Sequence, residues 1–290
     1  MSKKNVKIGH TAITWKNEDI ADAVKYLAEL GFCGIEAFGS LIEKMAEDGT
    51  AELARELNLP IISAYCSLDI VNPDAWNESR EKIERWSEVL SSVGCKTVVL
   101  GGNSVLRRSF NFHLHKDHII KTINEAGRLF TEKGLLCCFH PHTGTPVEAE
   151  EEIRLAVEAF DEKYVAFAPD IGQIQKGGSD ALQIVKDYYP LIRHMHFKDY
   201  VGGITEYDAC GQEIDITGYL GYTPLGRGVV DLSGVLAYLE EKDFSGYVMV
   251  ELDGKQYGKA EYTLCDVHQS VLENKRYLES LGYEFKGSRF

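Results

Sequence analysis

The chain has 290 residues, of which 44% are hydrophobic and 26% charged, and its formal net charge is -14. This composition is that of an ordinary globular protein, and the acidic charge opposes contact with nucleic-acid phosphates. No apolar run approaches the roughly 20 residues of a membrane span, and the first residues lack the apolar stretch of a signal peptide. The seven cysteines form no Cys-x-x-Cys pair. We therefore predict a cytoplasmic protein with reduced thiols and with neither a nucleic-acid nor a membrane partner.

Short apolar strands, each followed by a helical stretch, recur about every 30 residues, which is the size of a βα unit. Several of these strands are apolar at every position, as expected of strands that are buried on both faces. The eight predicted strands are Val6–His10, Gly34–Phe38, Ile61–Cys66, Thr97–Gly101, Leu135–His140, Val165–Asp170, His194–Lys198 and Tyr247–Leu252.

Helix signals lie between these strands. Asn17 or Asp19 can cap a first helix, which is expected to stop at Gly31. A proline near the first residue, or a glycine just past the last, marks other helices. These run from Asn72-Pro73 to about Gly94, over Glu125–Lys133 before Gly134, and over Leu272–Leu281 before Gly282.

Eight alternating units predict an α/β fold, a closed (β/α)8 TIM barrel formed by residues 1–290 as a single domain. A doubly wound open sheet is the alternative, but Gly9–Ala12 is not the Gly-rich phosphate turn that often follows the first strand of such sheets. The non-helical segment Tyr200–Val230 is long, and long irregular segments are usually functional. We predict that it covers the site or contacts a neighbouring subunit; the alternative is a solvated surface excursion.

Polar residues stand at the strand ends, where barrel enzymes keep their chemistry. They are His10, Glu36, His140, His142, Asp170, His194, His196 and Glu251. Asp, His and Glu that converge from consecutive strands form a nitrogen and oxygen ligand set suited to Mn²⁺, Mg²⁺, Co²⁺ or Zn²⁺. For His10 and Glu36, a hydrogen-bonded role in the core is the alternative, because a buried polar group needs a partner.

These residues fall in motifs that resemble the xylose-isomerase-like TIM-barrel superfamily over nearly the whole chain. The segment His140–Glu148 reads His-Pro-His-Thr-Gly-Thr-Pro-Val-Glu and is similar to a stretch of the inosose-dehydratase-like branch. The order and spacing of the motifs are specific for the superfamily and much less specific for a substrate. The other matching segments are Ile13–Trp15, Leu30–Glu36, Pro169–Gly172, His194–Asp199, Leu225–Asp231 and Val250–Asp253.

The resemblance implies one divalent metal ion, with Mn²⁺ expected first and Mg²⁺, Co²⁺ or Zn²⁺ as alternatives. The ligands that it implies are Glu148, Asp170, His196 and Glu251. At the end of the fifth strand, many epimerases carry a Glu where this chain reads His140 or His142, so His142 is the alternative to Glu148. Gln173 stands where relatives often carry a His.

The resemblance also implies a sugar isomerase or epimerase that acts on a keto-sugar or related polyol through an enediolate. Glu148 and Glu251 would transfer protons, while His142 and Lys198 would polarise or protonate substrate hydroxyls. The family's frequent oligomers are compatible with a homo-oligomer. The residues expected to bind substrate are His10, Trp15, Glu36, His140 and Arg227.

Four other functions stay open. An inosose-type dehydratase, or a lyase of keto-sugar C-glycosides, can use the same metal site on a small sugar or cyclitol. A non-catalytic sugar-binding barrel is opposed by the intact, carboxylate-rich ligand set. A DNA-repair endonuclease of the same superfamily is opposed by the net charge of -14 and by Gln173 in place of a His.

Overall fold

Eight parallel strands form the inner wall of the protein in a computed structural model, which describes residues 4–203, 221–253 and 263–286. Each of these eight strands overlaps one of the predicted strands, so that prediction is confirmed. The barrel strands are β1 (Lys7–Thr11), β2 (Ile35–Phe38), β3 (Ile61–Leu68), β4 (Thr97–Gly102), β5 (Leu136–Phe139), β6 (Val165–Phe167), β7 (His194–Phe197) and β10 (Tyr247–Val250). A separate antiparallel pair is formed by β8 (Asp199–Tyr200) and β9 (Tyr222–Thr223).

The described α-helices follow the strands along the chain. They are α1 (Ile20–Leu30), α2 (Gly39–Asp48), α3 (Thr50–Glu56), α4 (Trp76–Ser92), α5 (Phe112–Glu132), α6 (Glu150–Val157), α7 (Ile171–Lys176), α8 (Ala181–Tyr188), α9 (Leu232–Glu241) and α10 (Leu264–Ser280). None of these described helices combines the length and the apolar character that crossing a membrane requires.

Two helices begin well before their predicted starts. The sequence indicated helices from Glu125 and from Leu272, but α5 and α10 include an additional N-terminal part. The side chains of Asn111 and Thr263 each accept a hydrogen bond from a backbone N–H of the first helical turn. These N-caps satisfy donors that have no partner within the helix, and they mark the true starts.

The barrel closes between β6 and β7. The hydrogen-bonded order of the strands is β6-β5-β4-β3-β2-β1-β10-β7. Parallel bridges from Phe167 to Ile192 and from Asp170 to His196 then join the two remaining edges. The predicted TIM barrel is thereby confirmed, and the open-sheet alternative is excluded.

The two faces of each strand serve different parts of the core. Outward-facing residues such as Val98 and Cys137 pack beneath the helices in the main hydrophobic core. Their neighbours Val99, Cys138 and Ala166 form a small separate cluster with little bulk. Because successive side chains of a strand point to opposite faces, this second cluster fills the barrel interior below the rim.

Asp199 anchors the chain where it returns to the barrel after the long segment that follows β7. Its two carboxylate oxygens accept four backbone N–H groups at 2.8 to 3.3 Å, those of Tyr200, Gly226, Gly228 and Val230. A Cβ atom on Gly228 would lie 2.2 Å from Asp199 Oδ1, so the carboxylate excludes a side chain there. The segment Tyr200–Val230 was predicted to cover the site or to contact a neighbouring subunit. Most of it, residues 204–220, lies outside the described residues.

Candidate metal centre and active site

The ends of neighbouring strands bring Asp170, His196 and Glu251 together. Asp170 follows β6, and its backbone forms a parallel bridge with His196 on β7. Glu251 follows β10, and its backbone N–H donates to the carbonyl oxygen of Phe197 at 3.1 Å. His140 follows β5, and its ring centroid lies 4.5 Å from that of His196. The four side chains therefore share the C-terminal rim of the barrel.

Four buried side chains at this rim fit a divalent ion. Ligand atoms of His140, Asp170 and His196 all lie within 4.8 Å of one another, and Glu251 Oε2 lies 2.8 Å from His196 Nδ1. Among the described residues, Asp170 Oδ2 and His140 Nδ1 have no hydrogen-bond partner. A buried polar atom without a partner is costly, and a cation bound by this cluster would lower that cost. Two imidazoles and two carboxylates are ligands that Zn²⁺ and Mn²⁺ accept.

Glu36 supports His196 from the side opposite to Glu251. Its Oε1 lies 2.7 Å from His196 Nε2, and its Oε2 accepts hydrogen bonds from Ser63 Oγ at 2.5 Å and from His194 Nε2 at 2.8 Å. Burial alone would lower the pKa of His196, but the carboxylates of Glu36 and Glu251 outweigh burial and raise that pKa well above its ordinary value. The sequence suggested Glu36 for substrate binding, but its carboxylate already contacts His196, Ser63 and His194.

Lys198 is a buried cation between carboxylates. Its Nζ lies 2.5 Å from Glu251 Oε1, 3.0 Å from Asp253 Oδ2 and 3.5 Å from Asp170 Oδ2. The same ammonium lies 4.3 Å from the ring centroid of Tyr222. Burial alone would lower the pKa of Lys198, but these carboxylates keep it well above its ordinary value. Lys198 therefore stays charged and offsets the negative charge of Glu251, Asp253 and Asp170.

Asp253 belongs to this site although the sequence did not single it out. It is 1% exposed, and burial, only partly offset by Lys198, raises its pKa to about 6. Glu251 and Asp253 are two residues apart at the end of a strand, so their side chains point to the same face. That alternation was a signal in the sequence that could have identified Asp253.

His142 is held by protein groups at both ring nitrogens. Its Nδ1 lies 2.6 Å from the carbonyl oxygen of Thr143, and its Nε2 lies 2.8 Å from Gln173 Nε2. Gln173 Oε1 accepts from the hydroxyl groups of Thr143 and Tyr222, which leaves the amide nitrogen of Gln173 to donate to His142. Burial lowers the pKa of His142 to about 4. It is therefore a neutral ring whose two nitrogens are already engaged.

Glu148 is not brought to the cluster at the rim. Its Oε2 accepts a hydrogen bond from the backbone N–H of Gly144 at 2.6 Å and lies 3.3 Å from Arg107 Nε. The side chain of Glu148 retains 24% of its exposure, unlike the buried groups around Asp170. The end of β5 instead brings His140, which the sequence suggested for substrate binding, beside Asp170 and His196.

Three residues suggested for substrate binding have contacts away from the rim. His10 packs edge-on against Trp15 and Phe32 on the outer side of β1, and Trp15 Nε1 donates to Asp22 Oδ2 at 3.2 Å. Arg227 pairs with Glu273 of α10 at 3.0 Å, and more than half of its side chain is exposed. Neither His10, Trp15 nor Arg227 is among the described residues that border the cavity.

A cavity of about 260 Å³ opens beside the cluster. Glu36, His140, His142, His196 and Glu251 border one side of it. Most of the remaining lining consists of neutral hydroxyl, amide and aromatic side chains from the strand ends and loops. These are Thr11, Phe38, Tyr65, Ser67, Asn103, Ser104 and Thr145.

Electrostatics set the protonation of the groups that border this cavity. Burial alone would raise the pKa of Glu251, but Lys198 and His196 outweigh burial and hold that pKa well below its ordinary range. Burial, with His196 and His142 nearby, lowers the pKa of His140 well below its ordinary value. The rim therefore presents an ionised carboxylate and a neutral imidazole whose nitrogen lone pair is available.

A closed eight-stranded barrel with such a cluster at the C-terminal rim is the architecture of a TIM-barrel enzyme. The family model described as xylose isomerase-like TIM barrel matches residues 24–281, and the chain belongs to that family. It is 26% identical over 276 residues to an inosose dehydratase of Clostridium perfringens. The matched region covers 87% of this chain and 92% of that relative. The chain is an enzyme of the sugar isomerase, epimerase and dehydratase class.

Solved structures show the same fold. The 3-keto-D-glucoside 4-epimerase YcjR of E. coli is similar with a TM-score of 0.69 and 19% identity, over 93% of this chain and 99% of that one. The protein IolI, whose structure holds a zinc atom, is similar with a TM-score of 0.72 and 17% identity, over 98% of this chain and 100% of that one.

Proposed function

We propose that the chain is a divalent-metal-dependent dehydratase that acts on a keto-polyol, a small cyclic or open-chain sugar derivative with a carbonyl group. The observation that carries this proposal is the buried cluster of His140, Asp170, His196 and Glu251 beside a cavity of about 260 Å³. These four residues would hold the ion. When bound, a divalent ion supplies a Lewis acid that stabilises negative charge on a substrate oxygen.

Glu251 is the base that the site offers. Its carboxylate borders the cavity, and Lys198 and His196 keep it ionised, so it can accept a proton from the carbon next to the substrate carbonyl. The electron pair of that C–H bond forms a carbon–carbon double bond as the β-hydroxyl leaves. The leaving hydroxide takes up the proton that Glu251 received and departs as water, so Glu251 returns to its ionised form. Lys198 and His142 serve this step indirectly, because protein partners occupy their polar atoms.

The lining of the cavity supports a substrate without phosphate groups. Among its described lining residues there is no Lys or Arg, and Glu36 and Glu251 are carboxylates. A phosphate or carboxylate group on the substrate would be repelled by these acids, while hydroxyl groups can bond to Ser67, Asn103 and Thr145. A neutral cyclitol or ketose is therefore the proposed substrate class. The similarity to inosose dehydratases along nearly the whole chain supports the same class.

Epimerisation is the second candidate because two carboxylates border the cavity. Glu36 and Glu251 both reach it, and an epimerase needs one group to remove a proton and one to return it. The likeness to a 3-keto-D-glucoside 4-epimerase supports this reading. Dehydration is preferred because the chain is 26% identical to an inosose dehydratase over 87% of its length, whereas its likeness to the epimerase is one of fold, at 19% identity.

One experiment in heavy water separates these outcomes. The enzyme is stripped of metal, reloaded with Mn²⁺ and incubated with inososes and ketohexoses in D₂O, and products are followed by proton NMR and mass spectrometry. Dehydration is expected to give a product lighter by one water, whereas epimerisation gives an isomer that carries one deuterium. Both should disappear in Glu251→Gln and in metal-free protein. Turnover that is unchanged without metal would refute the proposal, and so would the absence of exchange and product with every neutral keto-polyol.

A further inference from the structure

Two loops beside the cavity are joined by a network of contacts that the proposed reaction does not use. The first loop follows β4 and contributes Asn103 and Ser104 to the cavity lining. The second follows β5 and contributes His142 and Thr145. The loops also meet directly, since the backbone N–H of Val105 donates to the carbonyl oxygen of Gly144 at 2.8 Å.

Arg107, in the first loop, directs its guanidinium group at the second loop and at Glu152 in the first turn of α6. Its Nη2 donates to both carboxylate oxygens of Glu152, at 2.7 and 2.9 Å. Its Nη1 lies 3.2 Å from the carbonyl oxygen of Thr145 and 3.4 Å from that of Pro146. Its Nε lies 3.3 Å from Glu148 Oε2. Only 18% of the Arg107 side chain is exposed, so these contacts are partly shielded from water.

The two carboxylates that Arg107 holds also organise the backbone of the second loop. Glu152 Oε2 accepts the N–H groups of Glu148 and Ala149 at 2.8 and 2.9 Å, at the start of α6. Glu148 Oε2 accepts the N–H of Gly144 at 2.6 Å. Three backbone donors of the loop are thus satisfied by carboxylates that one guanidinium keeps in place.

We propose that Arg107 is a positioning residue, which fixes the loop from His140 to Ala149 against the first loop and so sets the shape of the substrate cavity. Glu148 then acts as an acceptor for Arg107 and Gly144, with no part in binding the ion. Arginine suits this role because its planar group offers five N–H donors in a rigid fork, whereas lysine offers a single ammonium point. The effect of Arg107 on catalysis rests on the proposed function; its effect on the loop does not.

Hydrogen–deuterium exchange tests the loop directly. In Arg107→Ala, the amides of residues 144–149 should exchange about tenfold faster or more, because their carboxylate partners lose the group that holds them. Exchange in the barrel strands should stay as in the wild type. Arg108→Ala is the matched control, since it removes the same charge from an exposed neighbour in the same turn. Loop exchange in Arg107→Ala equal to that of the control would overturn the proposal.

Kinetics and metal analysis test the consequence for the cavity. Arg107→Lys should raise KM by about tenfold, with a smaller change in kcat and with the metal content of the wild type, because a shifted wall weakens substrate binding without removing a ligand. Unchanged KM in a variant whose loop exchange is faster would overturn the link between loop and cavity.

If Arg107→Ala does not fold, Glu148→Gln breaks one arm of the network. Loss of the ion from Glu148→Gln, with slow loop exchange retained, would also overturn the proposal. A wild-type protein that shows no metal-dependent turnover at all would refute the proposed function, and the exchange experiment would still decide the role of Arg107.

Discussion

Replacing His140 with Ala tests which residue at the end of β5 binds the ion. A ring nitrogen of His140 lies within 4.8 Å of ligand atoms on Asp170 and His196, and its Nδ1 has no hydrogen-bond partner among the described residues. Glu148, which the sequence suggested, contacts Arg107 and Gly144. We expect His140→Ala to lose tight metal binding and Glu148→Ala to keep it.

The size of the effect follows from linkage between binding and folding. An ion present at 100 times its Kd stabilises the folded state by about 2.7 kcal/mol. For a domain of this size, each kcal/mol corresponds to about 2–4 °C in Tm, so the wild type should gain about 5–10 °C. If the loss of one ligand in four weakens binding about 100-fold, the remaining stabilisation at the same metal concentration is about 0.4 kcal/mol, or about 1 °C.

The assay is differential scanning calorimetry of metal-free protein with and without Mn²⁺, together with elemental analysis after gel filtration. The metal-induced shift is compared, and not the baseline Tm, because His140→Ala also removes ring contacts with Tyr65 and His196. His113→Ala, at an exposed position, is the control for the loss of a histidine that could bind metal adventitiously. A full shift in His140→Ala together with no shift in Glu148→Ala would return the ligand role to Glu148 and refute this reasoning.

Three more predictions concern groups around the site. Glu36→Gln should weaken metal binding about 10–100-fold, measured by competition with a chelating dye, because Glu36 Oε1 lies 2.7 Å from Nε2 of His196, a proposed ligand; unchanged affinity would contradict this role. Asp199→Asn should lower the free energy of urea unfolding by about 2–5 kcal/mol, because an amide nitrogen would face two of the four backbone donors; a loss below about 0.5 kcal/mol would count against the anchor. Burial lowers the pKa of His10 from 6.5 to about 4, so between these values the unfolded chain binds a proton that the folded chain does not. Stability should therefore fall as the pH drops from about 6.5 to 4, and the fall should be smaller in His10→Phe; equal slopes in urea titrations would refute it.

The barrel could be predicted from the sequence because its strands are buried on both faces and read as apolar runs. The strand ends were also informative, since a polar residue after an apolar run marks the rim. Asp170, His196 and Glu251 came from this pattern and from the family resemblance, and the structure places them side by side. Their role as ligands remains a prediction that metal analysis must test.

The parts that could not be predicted depend on contacts between distant segments. Glu36 meets His194 across 158 positions of the chain, and no local pattern encodes that contact. Glu148 was predicted as a ligand from its place in the motif His140–Glu148, but its carboxylate lies 3.3 Å from Arg107 Nε, which belongs to a different loop. The role of His142 likewise depends on Gln173, whose amide orientation is set by Tyr222 of β9, 49 positions further along the chain.

The balance of charge at the rim gives a physical reason for a divalent ion. Four buried carboxylates, those of Glu36, Asp170, Glu251 and Asp253, meet there, and Lys198 is the permanent cation among the described residues that contact them. The remaining negative charge must be balanced by protons or by metal, because uncompensated charge is costly away from water. Without a metal, a proton on His196, whose pKa is raised well above its ordinary value, offsets part of that charge at neutral pH, and a proton on Asp253, whose pKa is about 6, offsets more as the pH falls. A divalent ion would replace the proton on His196 while Glu251 stays ionised, which is the state that the proposed proton transfer needs.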